Sequence, residues 1–353
     1  MDLNNLILTF VLVIFGSFFY LYMMPKINKY YPKFLIDDQF KKPQAFHENS
    51  TSITGGICIF LSFLIVSLNL VFFKNLFYLE YITFCILFFL LGLVDDLKIN
   101  LRPKVRLAIM IVMLIFLIKY NNLYIEYTGI SFLNNWLENS GIFSLFFVCL
   151  CFLFIINGAN LIDGYNGLLG FHSLIILINL FLVNFFYENT NLAYFLFSKI
   201  IILTTFLAFN FPKAKVFLGD SGSYFLGVFI AISVIQTSLA NPEISPFYFC
   251  ILLFYLFFEV FFSFFRKLLK EKIPPLHPDK KHLHMLLYKF LLKKNNNKLK
   301  SNYSVSIIIN GALLLLTIPA IFIMNNGLFC KYYSLLFFVT YIFTYKIMYE
   351  KSK

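Results

Sequence analysis

Residues 157–170 read NGANLIDGYNGLLG. This stretch, Asn157 to Gly170, follows an apolar run from Ile142 to Ile156 and precedes another from Leu168 to Phe186, both read as membrane helices. Between two such spans, Asp163, the carboxamides of Asn157, Asn160 and Asn166, and four glycines cannot be surface turned to hydrocarbon. An unpaired polar group there costs several kcal/mol. A polar partner must therefore meet Asp163.

The rest of the chain fits that reading. Of 353 residues, 60% are hydrophobic and only 13% charged, more apolar surface than a soluble core can hide. This indicates an all-α polytopic membrane protein. The six cysteines lie mostly inside apolar runs without metal or disulfide spacing and read as inert buried thiols.

In chain order the spans are expected at Leu3–Met24, Ile53–Phe73, Leu76–Val94, Val105–Ile118, Ile142–Ile156, Leu168–Phe186, Leu192–Phe211, Ser223–Leu239, Phe247–Phe265, Ser304–Met324 and Phe329–Met348. That makes about eleven transmembrane helices in one domain, residues 1–353. The first lacks a basic flank before it and a small-residue cleavage site after it, so it reads as a retained anchor. Lysine and arginine concentrate in alternate loops: Lys26 to Lys42, Lys98 to Arg106, Lys213 and Lys215, Arg266 to Lys300, and the tail. The opposite loops and adjoining span ends hold only Lys74, Lys119, Lys199 and Lys331. Positive-inside bias then places the basic loops and the C-terminus in the cytoplasm and the N-terminus outside. The net charge of +12 is explained by this asymmetry, and no nucleic-acid partner is implied.

The chemistry-bearing residues fall on the same side. Asp37, Asp38 and His47, then Asp95 and Asp96, Asp163, Asp220, and finally His277, His282 and His284 occupy five successive cytoplasmic loops. External loops carry only scattered Glu126, Glu138, Glu188 and Glu243. One polar site assembled from every cytoplasmic loop is the economical reading.

Each loop also has an ordinary explanation. Lysines of the first can touch anionic headgroups. His47 and the helix entrance at Gly55 and Gly56 suit a phosphate, because free amides point from a helix N-terminus. Asp95 and Asp96, followed by Lys98, Arg102 and Lys104, form either a solvated helix end or a carboxylate pair for a divalent ion or a proton, with cations for phosphates. A DDxxD metal motif does not fit, since the fifth position is Ile99. Asp220, in NFPKAKVFLGDSGSYFLG, is either a helix cap or a metal-binding carboxylate among small neighbours, with Lys213 and Lys215 upstream. Residues 266–302 form a histidine-containing loop whose basic amphipathic character suits a bilayer surface, although surface binding leaves the His-x-His unexplained. Imidazoles against a phosphate fit better than zinc, which would lack cysteines.

Taken together, these stretches resemble the polyprenyl-phosphate N-acetylhexosamine-1-phosphate transferases, relatives of the WecA and MraY enzymes. NGANLIDGYNGLLG is similar to that family's NxxNxxDGxDGL, FLGDSGS to its F-M-G-D-x-G-S, LVDDLKINLRPKVRL to its aspartate-pair segment and HPDKKHLHMLL to its PDRxHxHHLL. The four occur in the family's order, from about Ile36 to Leu287. The resemblance implies transfer of a sugar-1-phosphate from a UDP-N-acetylhexosamine to undecaprenyl phosphate with release of UMP, aided by Mg²⁺ or Mn²⁺. It implies a metal ligand at Asp220, a diphosphate or metal-site carboxylate at Asp163, and Asp95 and Asp96 orienting or deprotonating the lipid phosphate. His282 and His284 join the catalytic set, and His47, Lys98, Lys104, Asn157, Asn160, Asn166, Lys213 and Lys280 hold substrate. Asn166 stands where many members have Asp, Lys280 replaces an arginine fork, and Met285 occupies a position where a third histidine is common. The histidine loop resembles the WecA side more than the three-histidine loop of the MraY side. A homodimer packed through spans is compatible with the chain.

A lipid-sugar flippase or transporter is the competing expectation. Its polar residues would sit near the bilayer midplane, where Glu80 and Glu259 lie within apolar runs, whereas Asp95, Asp163 and Asp220 lie at one surface.

Overall fold

Apolar segments in lipid must satisfy their own backbone groups, so each closes into a helix. The computed structural model describes residues 11, 14, 16–23, 26, 35–37, 50–74, 78–99, 101–275, 277 and 279–352. Residues 16–23 are helical, within the first expected span; the rest of that span and His47 lie mostly or wholly outside the described residues. The helices that follow are α1 (Gly55–Lys74), α2 (Leu79–Asp96), α3 (Pro103–Asn121), α4 (Ser131–Asn139), α5 (Gly141–Ile162) and α6 (Leu168–Phe186). Next come α7 (Thr190–Asn210), α8 (Gly219–Ala240), α9 (Pro246–Phe265) with a π-helical extension Arg266–Glu271, α10 (Leu283–Asn295), α11 (Lys298–Ile323) and α12 (Gly327–Ser352).

Among the described residues, seven helices are long and apolar enough to cross a membrane: α5 to α9, α11 and α12. Each of these seven carries one expected span, while the expected spans Ile53–Phe73, Leu76–Val94 and Val105–Ile118 fall on α1, α2 and α3, which are helical but outside that set. Three boundaries differ in ways that bear on function. α5 continues past Ile156 through Asn157 and Asn160, so half of the opening motif is helix and not loop. α8 starts at Gly219, which places Asp220 in its first turn. α4 and α10 occupy stretches expected as loops.

α8 is the central post, packed by α1, α2, α5 and α6, and nearly every residue from Ser221 to Ile235 is buried. Two glycines permit this. A β-carbon on Gly92 of α2 would collide with the Asp220 carbonyl. Gly219, at φ +77°, turns the chain into α8 where an L side chain would be strained and would press on the Asp96 carboxylate. On the same side, β1 (Ile36–Asp37) pairs antiparallel with β2 (Thr51–Ser52), and Ser52 bridges to Val216. The Gly55 and Gly56 amides donate to the carbonyls of Phe217 and Leu218, both at 2.9 Å. The phosphate seat expected at this helix entrance is therefore taken up by the chain itself.

Candidate active site

Asp163 caps the C-terminus of α5, Asp96 ends α2, and Asp220 opens α8, so three helix ends bring three carboxylates together. Asp96 accepts from the Asp220 amide at 2.8 Å and the Ser221 amide at 3.0 Å, one on each oxygen. It thereby caps α8 from another helix, where a negative charge meets the positive end of the helix dipole; Leu218, the local cap position, supplies no side-chain bond. Asp220 itself is not the cap that its sequence position suggested. Its Oδ1 accepts from Asn160 Nδ2 at 2.7 Å, and the same nitrogen donates to Ser223 Oγ at 3.0 Å.

Charge accumulates here. Burial and the Asp220 carboxylate push Asp96 up to about 7, against the lowering effect of the amides it accepts from. Burial, then Asp220, then Asp96 raise Asp163 well above the ordinary carboxylate range. No hydrogen bond or ion pair to Asp163 is found among the described residues. Asp95 is held apart from this cluster by Arg106, whose Nη1 donates to it at 2.9 Å while the guanidinium lies 5.7 Å over the Tyr224 ring.

An all-oxygen donor set suits a hard divalent ion such as Mg²⁺ or Mn²⁺. Among the described residues, no group of three or more His, Cys, Asp or Glu is arranged to hold an ion alone. That also fits Mg²⁺, which is commonly held by one or two carboxylates with waters and substrate phosphates. Asp163, without a partner among the described residues, and Asp220 are the two carboxylates such an ion would neutralise.

The motif loop is gripped from α11. Asn302 Oδ1 accepts from the Asn166 amide at 2.8 Å, Ser306 Oγ donates to the Asn166 carbonyl at 2.6 Å, and Asn310 Nδ2 donates to the Leu168 carbonyl at 3.0 Å. These three side chains, four residues apart, form one polar stripe on a lipid-crossing helix. Asn210 Oδ1 takes the Gly167 amide at 2.6 Å. Asn166 is buried, its side-chain Nδ2 donating to the Pro212 carbonyl at 2.8 Å. Asn157 donates to the Leu153 carbonyl at 2.7 Å.

The histidine loop arrives beside this motif. Glu259, an acid inside α9, accepts from His282 Nδ1 at 3.1 Å and from the Leu283 amide at 2.9 Å. His282 Nε2 lies 3.5 Å from Asp279, and the His284 ring stacks parallel to that of His282 at 5.5 Å. Tyr255 Oη is 3.3 Å from His284 Nδ1, and the His284 ring meets Tyr165 of the motif loop edge-on at 5.7 Å. Arg266 pairs with Asp279 at 2.7 Å and Glu271 at 2.8 Å. Burial alone would raise Asp279, but His282, the Lys281 amide and Arg266 outweigh it and hold the carboxyl at about 2. His284, deeply buried, is lowered to about 4 and is a neutral imidazole.

Among the expected site residues, the structure thus joins Asp96, Asp163, Asp220 and Asn160, with the histidine pair approaching through Tyr165. Lys98, Lys104, Lys213 and Lys280 are exposed. Residues not anticipated from sequence are Arg106, Ser223, Tyr255, Glu259 and the α11 stripe. Two of these had a signal: an acid inside an apolar run, and polar residues every fourth position in another.

Three carboxylates converging at one end of a membrane-crossing helical bundle, with the titration of Asp96 and Asp163 perturbed upward, are the kind of cluster found at catalytic or metal-binding sites. The model of glycosyl transferase family 4 matches residues 78–238. A phospho-N-acetylmuramoyl-pentapeptide-transferase of Dictyoglomus turgidum is 34% identical over 241 residues, covering 66% of this chain and 75% of that protein. An undecaprenyl-phosphate alpha-N-acetylglucosaminyl 1-phosphate transferase of Thermotoga maritima is 31% identical over 242 residues, 67% of this chain and 68% of its own length. The enzyme of that second name from Escherichia coli is 26% identical over 197 residues, 54% of this chain and 52% of its own. The chain belongs to glycosyl transferase family 4.

Proposed function

We propose that this protein transfers N-acetylhexosamine-1-phosphate from a UDP-sugar to undecaprenyl phosphate, releasing UMP, as a first membrane step of cell-envelope glycan synthesis. The observation that carries the reading is the carboxylate centre: among the described residues, Asp163 lies beside Asp220 with no hydrogen-bond or ion-pair partner. Phosphoryl transfer needs charge neutralisation and in-line positioning more than covalent chemistry. Asp220 and Asp163 would hold Mg²⁺, which when bound neutralises the donor diphosphate and its leaving group. Asn160 orients Asp220, and Arg106 fixes Asp95 near the same surface. The exposed lysines Lys98, Lys104, Lys213 and Lys280, with His47, supply the cationic rim for phosphates. With a second phosphate pKa near ~6, the acceptor is largely dianionic at neutral pH, so a strong base is not required. Asp96, with both oxygens taken by amides, is then the group that aims Asp220.

In this reading about eleven spans put the N-terminus in the periplasm and the carboxylates at the cytoplasmic surface of a bacterial inner membrane. Both relatives' names concern sugar-phosphate transfer, and they differ in the sugar. The HLHM sequence at His282 to Met285 in place of three successive histidines favours a simple N-acetylhexosamine donor. Glu259, which a transporter could have used within the membrane, is instead committed to His282 and Leu283.

The test is UMP release by purified protein with undecaprenyl phosphate, Mg²⁺ and a panel of UDP-sugars that includes UDP-N-acetylmuramoyl-pentapeptide. Release that requires both lipid and metal, and is lost in Asp220→Asn, is expected, and the productive donor names the sugar. Absence of UMP with every donor, despite retained lipid binding, would overturn the reading in favour of lipid-sugar transport.

A further inference from the structure

Helix α4, SFLNNWLEN, stands immediately before α5, at the end opposite Asp163. The 22 residues of α5 at about 1.5 Å each give roughly 33 Å, close to the ~30 Å thickness of a bilayer's hydrocarbon. With Asp163 at one headgroup level, α4 therefore stands at the other. Its sequence alternates pairs: Phe132 and Leu133 apolar, Asn134 and Asn135 polar, Trp136 and Leu137 apolar, Glu138 and Asn139 polar. On a helix this makes one apolar side.

Only part of that side faces protein. Leu137 is buried, but Phe132 and Trp136, one turn apart, are 61% and 57% exposed. They belong to a continuous ring ladder. Phe132 meets Trp136 edge-on at 6.3 Å, Trp136 meets Phe143 edge-on at 5.2 Å, and Phe143 stacks on Phe147 at 6.2 Å. The ladder thus runs off α4 onto the first turns of α5, where Ile142 and Phe146 are 85% and 61% exposed on the surface that a membrane span turns to lipid. The helix entrance is fixed as well, since Asn134 Oδ1 accepts from both the amide and the hydroxyl of Thr128 at 2.9 and 2.7 Å. No lysine or arginine occurs between Lys119 and Lys199, so the contact is apolar and not an attraction to anionic headgroups.

The geometry points to α4 as an interfacial anchor whose partner is the lipid surface on the membrane face opposite the carboxylates. Phe132 and Trp136 insert between headgroups and upper acyl chains, as amphipathic helices and belt tryptophans do. Rigid connection to α5 then sets the vertical register of that helix, and with it the depth of Asp163 at its far end. The inference rests on α5 crossing the membrane and is independent of the proposed transferase activity.

Trp136 is the chain's one tryptophan, so the unmodified protein reports on itself. In proteoliposomes excited at the red edge, its emission should be blue-shifted. It should lose most of its intensity with lipids brominated near the headgroup, less with lipids brominated at the chain end, and little with iodide or acrylamide. Quenching by iodide and acrylamide without any effect of bromolipids would place α4 in water and overturn the proposal. Blue-shifted emission untouched by any quencher would overturn it too, because Trp136 would then be covered by a second protein copy.

Discussion

At the carboxylate centre, Asp96, Asp163 and Asp220 crowd one another, and no lysine or arginine pairs with Asp163 among the described residues. Around the histidine loop, Glu259 meets His282, Asp279 meets Arg266 and Lys267, and Glu271 meets Arg266 and Lys281, all within 3.5 Å. Both regions are polar and largely buried, so burial alone does not separate them. What separates them is compensation. Like charges held together cost folding free energy and are retained where a ligand will neutralise them, whereas compensated charges hold a segment in place. The first region is thus built to receive a cation and phosphates, and the second to hold a loop against the first.

The largest expected effect breaks that contrast if it fails. Asp163→Asn removes a carboxylate that no group among the described residues offsets, so UMP release should fall on the order of a thousandfold, the rate equivalent of the several kcal/mol a catalytic metal contributes. Thermal unfolding in detergent without divalent ions should meanwhile be unchanged or raised, since a repulsion is relieved. A clear drop in the melting midpoint would show Asp163 to be structural and the contrast false.

Glu259→Gln should do the reverse. Its carboxylate is 1% exposed and holds both His282 and the Leu283 amide. Removing one partner of a buried pair costs roughly 3–5 kcal/mol, because the other is left uncompensated. Thermal unfolding and protease sensitivity of residues 272–282 should both report the loss. Stability within error of the parent would mean that the loop is held mainly by Arg266 and Asp279.

The pH response sharpens the comparison further. His284 has a folded value of about 4, below the ordinary imidazole, so the fold favours its neutral form. Its contribution is therefore complete above about pH 6.5 and declines as pH falls from there toward 4, by on the order of 3 kcal/mol in total. Asp279, held at about 2, stabilises fully above its ordinary carboxylate range and loses that contribution as pH falls toward 2. In metal-free detergent the raised carboxylates Asp96 and Asp163 act in the opposite direction, gaining stability as pH falls below neutrality. The test is therefore the difference in melting midpoint between variants, and His284→Gln should lose the parent's His284-linked destabilisation between about pH 6.5 and 4. An unchanged slope in that variant would assign the pH response elsewhere.

Much of the architecture was legible because lipid imposes one rule, that apolar runs become helices. Asp163, Asp220 and Asn160 stood out because polar groups beside such runs must have partners. The sequence could not show where backbone donors go. The Gly55 and Gly56 amides looked open to a phosphate, yet they serve Phe217 and Leu218, and the cap of α8 comes from Asp96, 124 residues earlier. The separate commitments of Asp95 to Arg106 and Asp96 to α8 were equally hidden in a plain Asp-Asp pair. Glu259 was visible as an acid in an apolar run, but its histidine partner depended on how the loop folds back.

The smallest effect tests what joins the regions. Ser306→Ala leaves the buried Asn166 carbonyl without its 2.6 Å donor while Asn302 and Asn310 still grip the loop on either side. The expected cost is about 1 kcal/mol, read as a small fall in melting midpoint. Since Asn166 lies three residues from Asp163, the donor's KM should rise more than kcat falls, each by less than about tenfold. If kcat instead collapses as in Asp163→Asn with stability intact, the α11 stripe sets the geometry of the carboxylate centre itself, and the division between a ligand-awaiting region and a holding region must be drawn through α11.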